Sequence, residues 1–342
     1  MLKSTNYKIP LSIDRAVIEV NGGCNYTCSM CPQTNSDGTT GARGKNWLKK
    51  MSLADFEYVV SECAQAGLNV VNLEGSGEPT LSRDLPRYIE IVRKYGASAF
   101  IYTNGYNLSG RFMRDCVDAG LSLARFSIIG YDQQTYKKWM NRDAFDFVRN
   151  NALLMNKYVT KKDADCKIAS YHLILDNNNI EQEIQLYRSN FVDYVESYAE
   201  IWKMHNWSGI YDVNYKRQGK KRSCGRPFSP DLTVRAGGTN NTTLSIAPCC
   251  QTLGRDDDAD LGSIKEQTLE QVWNGERYTW LRQMHAERRF EEIPFCKDCD
   301  FLYEDNEVLV WKNNDMVMLD KMKGTKFSLQ DFKEVDPIRI VE

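Results

Sequence analysis

Residues Gly22 to Gln33 read "GGCNYTCSMCPQ" and place Cys24, Cys28 and Cys31 in a C-x3-C-x2-C pattern. The triplet comes directly after "AVIEV" (Ala16 to Val20), a nearly continuous apolar run of the kind shown by a strand covered on both faces. A closed structural metal site takes four ligands, so three thiols in one short loop raise the question of what completes the set.

Outward from this loop, short strands and amphipathic helices alternate over the first two-thirds of the chain, the signature of parallel βαβ units. "SLADFEYVVSECAQAG" has Ser52 as N-cap and Asp55 three residues on. It carries Leu53, Phe56, Val59, Val60 and Cys63 at helical spacing and stops at Gly67, which predicts a helix. "LNVVNLEGSGEP", "SAFIYTNG" and "LARFSIIG" read as three further strands, with "DLPRYIEIVRKYG" and "GRFMRDCVDAG" as the helices between them. "CKIASYHLIL" and "YAEIWKMH" supply two more strands around a helix at about Asn179 to Tyr194. About six βα units result, a barrel or part of one. Active groups in such folds sit at the carboxyl ends of the strands: here Asn21 to Cys31, Glu74 to Pro79, Thr103 to Gly105, Ser127 to Tyr131 and Asp176 to Asn179.

Near Tyr215 the pattern breaks. "YKRQGKKRSCG" is a basic linker, "PDLTVRAGGTNNTTLSIAPCC" reads as a β-hairpin, and "TLEQVWNGERYTWLRQMHAER" reads as one helix. "IPFCKDCDF" then delivers Cys296 and Cys299 in C-x2-C spacing. Residues 1–214 are expected to form the barrel, 215–305 a smaller second domain and 306–342 a tail. "RDDDAD" (Arg255 to Asp260) reads as a solvated loop.

With 342 residues, 42% hydrophobic and 26% charged, the chain suits one large α/β domain plus an appendage. A net charge of −2 gives no global positive field for nucleic acid or an anionic membrane, so neither is an expected partner. No signal peptide opens the chain, and no stretch approaches the roughly 18 apolar residues of a membrane span, so a soluble cytoplasmic protein is expected. In a reducing compartment, eleven cysteines point to metal or redox chemistry before disulfides. Cys63, Cys116 and Cys166 read as small core residues. His172, His205 and His285 stand isolated, and Trp202, Lys203, His205, Asn206, Trp207 and Ser208 are candidates to line a polar pocket.

C-x3-C-x2-C after a first barrel strand resembles the signature of the radical S-adenosylmethionine (radical SAM) superfamily. There, three thiolates leave one iron of a [4Fe–4S] cube open, and SAM fills it. The resemblance implies a partial (β/α)6 TIM-like barrel, and SAM contacts at Met30, at the turn Gly75, Ser76, Gly77, Glu78 and Pro79, and at Asn104, Ser127 and Leu175. Glycines in that turn let the backbone approach a ligand closely; Glu78 either orients the loop or accepts from the SAM ammonium. The later cysteines resemble the SPASM/twitch extension of such enzymes, a hairpin plus helix holding one auxiliary [4Fe–4S] cluster through Cys224, Cys249, Cys296 and Cys299. In that extension the ligand follows the proline of the turn directly, so Cys249 is favoured as ligand and Cys250 as the spare thiol. Zinc remains the alternative at both sets.

By the same resemblance, the enzyme cleaves SAM reductively and takes a hydrogen atom from its substrate, with electrons from a flavodoxin or ferredoxin-type donor. Only 23 residues precede Cys24, which leaves no expected room for a leader-peptide-gripping domain. A small hydroxyl-rich substrate, oxidised by the enzyme, is therefore expected. The alternatives are epimerisation with Cys250 as hydrogen donor, peptide modification, or an iron–sulfur carrier or zinc-binding protein with no catalysis.

Overall fold

The computed structural model describes residues 7–34, 49–176, 178–211, 219–238, 243–254, 259–303, 308–312 and 315–319. The parallel strands arrive in the expected order: β1 (Arg15–Ile18), β2 (Val70–Leu73), β3 (Ser98–Thr103), β4 (Leu121–Ser127), β5 (Lys167–Ile174) and β6 (Tyr198–Lys203). Each pairs parallel with the next. Between β1 and β2, α1 (Leu53–Gln65) starts where the sequence predicts, Ser52 Oγ accepting from Asp55 N at 3.0 Å. Helices α2 (Leu85–Lys94) and α3 (Gly110–Asp118) follow as read.

Two helices escaped the sequence reading: α4 (Gln133–Met140) and α5 (Phe145–Lys162), both between β4 and β5. A reciprocal capping box opens α4, with Thr135 N donating to Asp132 Oδ1 at 2.7 Å and Asp132 N donating to Thr135 Oγ1 at 3.1 Å. The helix expected near Asn179 to Tyr194 is α6 (Ile180–Tyr187), continued by one wide turn at Arg188–Val192 and by α7 (Asp193–Val195).

Beyond the barrel the expected hairpin is β7 (Asp231–Gly237) against β8 (Thr243–Ala247), antiparallel. Sequence patterning does not disclose that β7 also pairs parallel with β1, Arg15 beside Asp231 through Ile18 beside Val234, so a single sheet continues into the hairpin. On the other side, β9 (Val308–Lys312) and β10 (Asp315–Leu319) lie within the stretch read as a tail; β9 pairs antiparallel with β6 and covers what would otherwise be a bare strand edge. Among the described residues the sheet has ten strands in the order β10-β9-β6-β5-β4-β3-β2-β1-β7-β8 and is not closed, a partial barrel. Residues 212–218 of the linker, 255–258 of the acidic loop and 320–342 of the tail lie outside the described residues.

One expectation needs correction. "TLEQVW…HAER" is not one helix but two, α8 (Leu269–Trp273) and α9 (Glu276–Ala286), broken at Asn274 and Gly275. A Cβ at Gly275 would stand 2.8 Å from Gln271 O. Buried Arg282 fastens the break, its Nη1 donating to Trp273 O and its Nε to Pro227 O, each at 2.8 Å. A periodicity that runs through both helices hides such a corner.

Candidate active site

The cysteine loop leaves β1 and is held by its surroundings more than by itself. Gly22 N donates to Lys49 O, Ser29 N donates to Trp139 O at the end of α4, and Cys31 N donates to Cys28 O at 3.0 Å. Asn141 Nδ2 donates to Thr27 Oγ1 at 2.8 Å, and Arg142 Nη1 to Asn25 O at 3.1 Å. Cys28 Sγ lies 3.6 Å from Met140 Sδ, and Tyr26 N donates to Cys24 Sγ at 3.4 Å. Burial first, then the charge of Glu78, pushes the Cys24 thiol up to about 12, with Cys31 adding to the rise. Burial again, followed by the charges of Cys31 and Cys24, raises Cys28 well above its ordinary value. The three thiols therefore lie within electrostatic reach of one another, and their negative charge needs a cation that replaces the protons. Among the described residues no group of His, Cys, Asp or Glu is placed to hold one metal ion. A mononuclear zinc site needs ligands about 2.3 Å from a single centre, whereas a cube needs its thiolates held apart. The donor set fits the cluster.

The turn after β2 closes directly onto this loop. Glu78 N donates to Gly23 O at 2.8 Å, and Asn21 Nδ2 donates to Glu78 O at 3.1 Å. Gly77 is packed so closely that a Cβ would stand 2.3 Å from Asn21 O and 2.4 Å from Gly23 O. At Gly75, a Cβ would meet the Glu19 side chain, whose Oε2 accepts from Ser76 N at 2.6 Å. Pro79 begins a short 3-10 turn that is capped by Glu78. Of the two roles open to Glu78, its contacts are those of orientation. Oε1 accepts from Thr80 N, Thr80 Oγ1 and Thr103 Oγ1, and Oε2 accepts from Asn104 N at 2.7 Å. Those four donors occupy a carboxylate that burial nevertheless raises above its ordinary value.

Asn104 connects the two loops, its Nδ2 donating to Asn25 Oδ1 at 2.8 Å and lying 4.0 Å from Cys24 Sγ. Met30 is buried in the main core. Ser127 is half-buried at the end of β4, beside Tyr171 in register. Leu175 N donates to Glu183 Oε1 and Asp176 N to Glu183 Oε2. The same Glu183 Oε1 is 2.8 Å from His172 Nε2, and His172 Nδ1 is 2.9 Å from Ile128 O. His172, isolated in the sequence, thus ties the ends of β4 and β5 to α6.

In the second cysteine set, burial raises every thiol whose shift is resolved. The charge of Cys224 acts on Cys249, and the charges of Cys249 and Cys224 act on Cys299. Cys296 packs on the Phe290, Phe301 and Leu302 cluster, in the turn where Cys299 N donates to Cys296 O. The charge of Cys250 also acts on Cys224, but Cys250 has a second outlook as well. Burial pushes it up to about 12 and Arg226 opposes this, while the charge of Glu74 at the barrel mouth is among the remaining causes. The charge of Cys250 in turn reaches Tyr171 in β5. If Cys249 is the ligand and Cys250 the barrel-facing thiol, Cys249→Ser lowers iron after anaerobic reconstitution from about eight to about four atoms per chain. Cys250→Ser stays near eight, and the reverse result exchanges the two.

Residues in register across parallel strands share a face. The inner, partly open face carries Asn72 beside Phe100, Tyr102 beside Arg125, and Tyr171 beside Glu200. Arg125 is the centre of this lining: its Nη1 is 2.5 Å from Glu200 Oε2, and its guanidinium lies 3.7 Å from the Tyr102 ring centroid and 4.7 Å from that of Tyr171. Tyr171 Oη lies 3.2 Å from His205 Nε2. Of the residues expected in a pocket near β6, Asn206 and Ser208 instead hold the Cys296–Cys299 turn, Asn206 Nδ2 donating to Asp298 O at 2.6 Å and Ser208 Oγ donating to Phe295 O. Trp207 packs edge-on against His205, and Trp202 Nε1 reaches Glu200 Oε2 at 3.5 Å. Sequence reasoning missed Arg125 and Glu200, and it noted Glu74 only as a strand end.

Residues 18–188, half of the chain, match the family model of the Radical SAM superfamily, and residues 231–300 match SPASM, an iron–sulfur cluster-binding domain. A similar curated protein is the tungsten-containing aldehyde ferredoxin oxidoreductase cofactor-modifying protein of Pyrococcus furiosus, 23% identical over 82% of this chain and 86% of that protein. A probable GTP 3',8-cyclase of Saccharolobus solfataricus is 32% identical, over 38% of this chain and 40% of that protein. Among solved structures, BtrN in complex with AdoMet and 2-DOIA superposes with a TM-score of 0.56 at 18% identity, covering 85% of this chain and 94% of that one. Streptococcus suis SuiB bound to precursor peptide SuiA gives 0.59 at 14% identity, covering 80% and 67%.

Proposed function

Because the chain belongs to the radical SAM superfamily, with an iron–sulfur cluster-binding domain behind its barrel, we propose that it abstracts hydrogen from a small hydroxyl-rich substrate and oxidises it. Family membership makes it a radical SAM enzyme with SAM, a SAM-binding [4Fe–4S] cluster and auxiliary iron–sulfur chemistry as its cofactors. Cys24, Cys28 and Cys31 would hold the first cluster, and Cys224, Cys249, Cys296 and Cys299 a single auxiliary one. The chemistry supplied when SAM is bound is hydrogen-atom abstraction by a 5′-deoxyadenosyl radical. The chain's own residues position the reactants. Gly75 to Pro79, fixed by Glu78 against the cysteine loop, and Asn104 keep the SAM side rigid, while the inner face of β2 to β6 receives the substrate.

The observation that carries this reading is the inner face itself: Asn72, Glu74, Tyr102, Arg125, Tyr171 and Glu200 offer many hydrogen-bonding groups to a small ligand between the two cysteine sets. Likeness in fold to BtrN, whose structure holds AdoMet and the small molecule 2-DOIA, supports it. Electrons come from a flavodoxin or ferredoxin-type donor in this scheme. The test is transfer of deuterium from carbon-deuterated inositol, sorbitol or glucosamine into 5′-deoxyadenosine by the anaerobic holoenzyme with SAM and dithionite. Transfer accompanied by a ketone supports the reading, and no transfer from any of the three overturns it. A second reading, epimerisation, is favoured by the outlook of Cys250 toward Glu74 and Tyr171. It is recognised by transfer with no ketone and by solvent deuterium appearing at the substrate carbon.

A further inference from the structure

The inner face carries buried polar atoms that nothing among the described residues satisfies. Asn72 is 6% exposed; its Nδ2 donates to Glu74 Oε1 at 3.3 Å, yet its Oδ1 is buried with no partner among the described residues. Arg125 uses Nη1 for Glu200, and its Nε–H is likewise buried without a partner. An unmatched donor or acceptor in the interior keeps the full cost of leaving water. One orphan acceptor and one orphan donor on the same face as a carboxylate therefore point to a ligand.

The donor and acceptor inventory narrows what that ligand is. A carboxylate would accept from Arg125 Nε–H but would repel Glu74. An ammonium would satisfy Glu74 and Asn72 Oδ1 but has no lone pair for Arg125. A hydroxyl both donates and accepts: its one proton goes to Glu74 and a lone pair takes Arg125 Nε–H, while a neighbouring hydroxyl of a polyol supplies the donor that Asn72 Oδ1 lacks. Glu74 is also the residue immediately before Gly75, so the corner adjoins the turn assigned to SAM.

We propose that Glu74 and Arg125 form the subsite for the reacting substrate hydroxyl, with Glu74 as the base that takes its proton and Asn72 Oδ1 accepting from a neighbouring hydroxyl of the same substrate. This rests on the alcohol-oxidation reading above. In the balanced step, the carbinol carbon first gives its hydrogen atom to the deoxyadenosyl radical. The remaining carbinol radical then loses its O–H proton to the Glu74 carboxylate and one electron to an oxidised auxiliary iron–sulfur cluster, leaving a C=O bond. Arg125 Nε–H donates to the oxygen as negative charge develops on it. The charged and titratable groups facing Glu74 are Arg125, Arg226, Glu200, Cys250, Tyr102 and Tyr171. Burial outweighs the two arginines and holds Glu74 above the ordinary carboxylate range.

The experiment measures ketone formed per 5′-deoxyadenosine in anaerobic holoenzyme with the same three deuterated polyols, from pH 5 to pH 8. In the native enzyme the ratio rises with pH as Glu74 ionises. In Glu74→Gln the ratio falls about a hundredfold, the scale of a lost general base, and becomes flat with pH. Glu74→Asp, which keeps the carboxylate, retains the rise at an intermediate ratio and serves if the Gln variant loads iron poorly. Deuterium transfer with an unchanged ratio in Glu74→Gln, or a flat profile in the native enzyme, overturns the role of Glu74 and leaves alcohol oxidation standing. Absence of deuterium transfer in the native enzyme overturns both.

Discussion

Cys28→Ala is expected to form no 5′-deoxyadenosine above background from SAM and dithionite, while its iron falls from about eight to about four atoms per chain. Cys28 stands between Cys24 and Cys31 in the loop, half-buried with its sulfur 3.6 Å from Met140 Sδ. Its removal leaves two thiolates for an assembly that uses three. Two thiolates are a poor hold on a cube whose fourth iron must also stay open to SAM. The backbone of the loop is fixed by Trp139 O, Lys49 O and Asn104, none of which involves the Cys28 sulfur, so the variant folds with a melting temperature near that of the native chain. Iron analysis, nucleoside chromatography and thermal melting check the three parts separately. Retention of about eight irons, or undiminished nucleoside, would remove Cys28 from the ligand set.

What the sequence made legible follows the range of the interactions concerned. The cysteine triplet, the Gly75 to Pro79 turn and the Ser52-capped helix each lie within one short local stretch, so spacing alone reveals them. In α4 and α5 the signals were present as well: Asp132 and Thr135 in cap spacing, and Phe145, Val148, Ala152, Met155 and Val159 along one buried face. The inner face is another matter. Arg125 and Glu200 meet at 2.5 Å across 75 positions of sequence, through strand registers that composition and periodicity do not encode. Likewise the parallel pairing of β7 with β1 joins segments over 200 residues apart. The doublet Cys249 and Cys250 looks symmetrical in the sequence. Both thiols reach Cys224, and only the fold couples Cys249 to Cys299 and Cys250 to Glu74.

The Gly75 to Pro79 turn, proposed above to hold SAM and packed on the cysteine loop, supplies the second large effect. At Gly77 the space for a Cβ is already taken by backbone: Asn21 O at 2.3 Å, Gly23 O at 2.4 Å and the Gly22 carbonyl carbon at 2.5 Å. None of these can rotate away as a side chain can. Relief requires the cysteine loop and the turn to separate, which stretches the bonds from Glu78 N to Gly23 O and from Asn21 Nδ2 to Glu78 O. Gly77→Ala is therefore expected to cost about 3 kcal/mol, the upper range for overpacking, and to lower the melting temperature by roughly 5–10 °C. SAM affinity falls at least about tenfold, equivalent to 1.4 kcal/mol. Gly75→Ala is the informative contrast. There the clash is with Cγ and Cβ of Glu19, at 2.5 and 2.6 Å, and a side chain can move at the loss of its bond to Ser76 N. Calorimetric melting and SAM titration of both variants, with iron measured in each, separate the two cases. A Gly77→Ala protein that melts like the native chain and binds SAM as tightly would show that the turn and the cysteine loop are not mechanically one unit. A Gly77→Ala loss well beyond that of Gly75→Ala ties SAM binding to that single backbone contact.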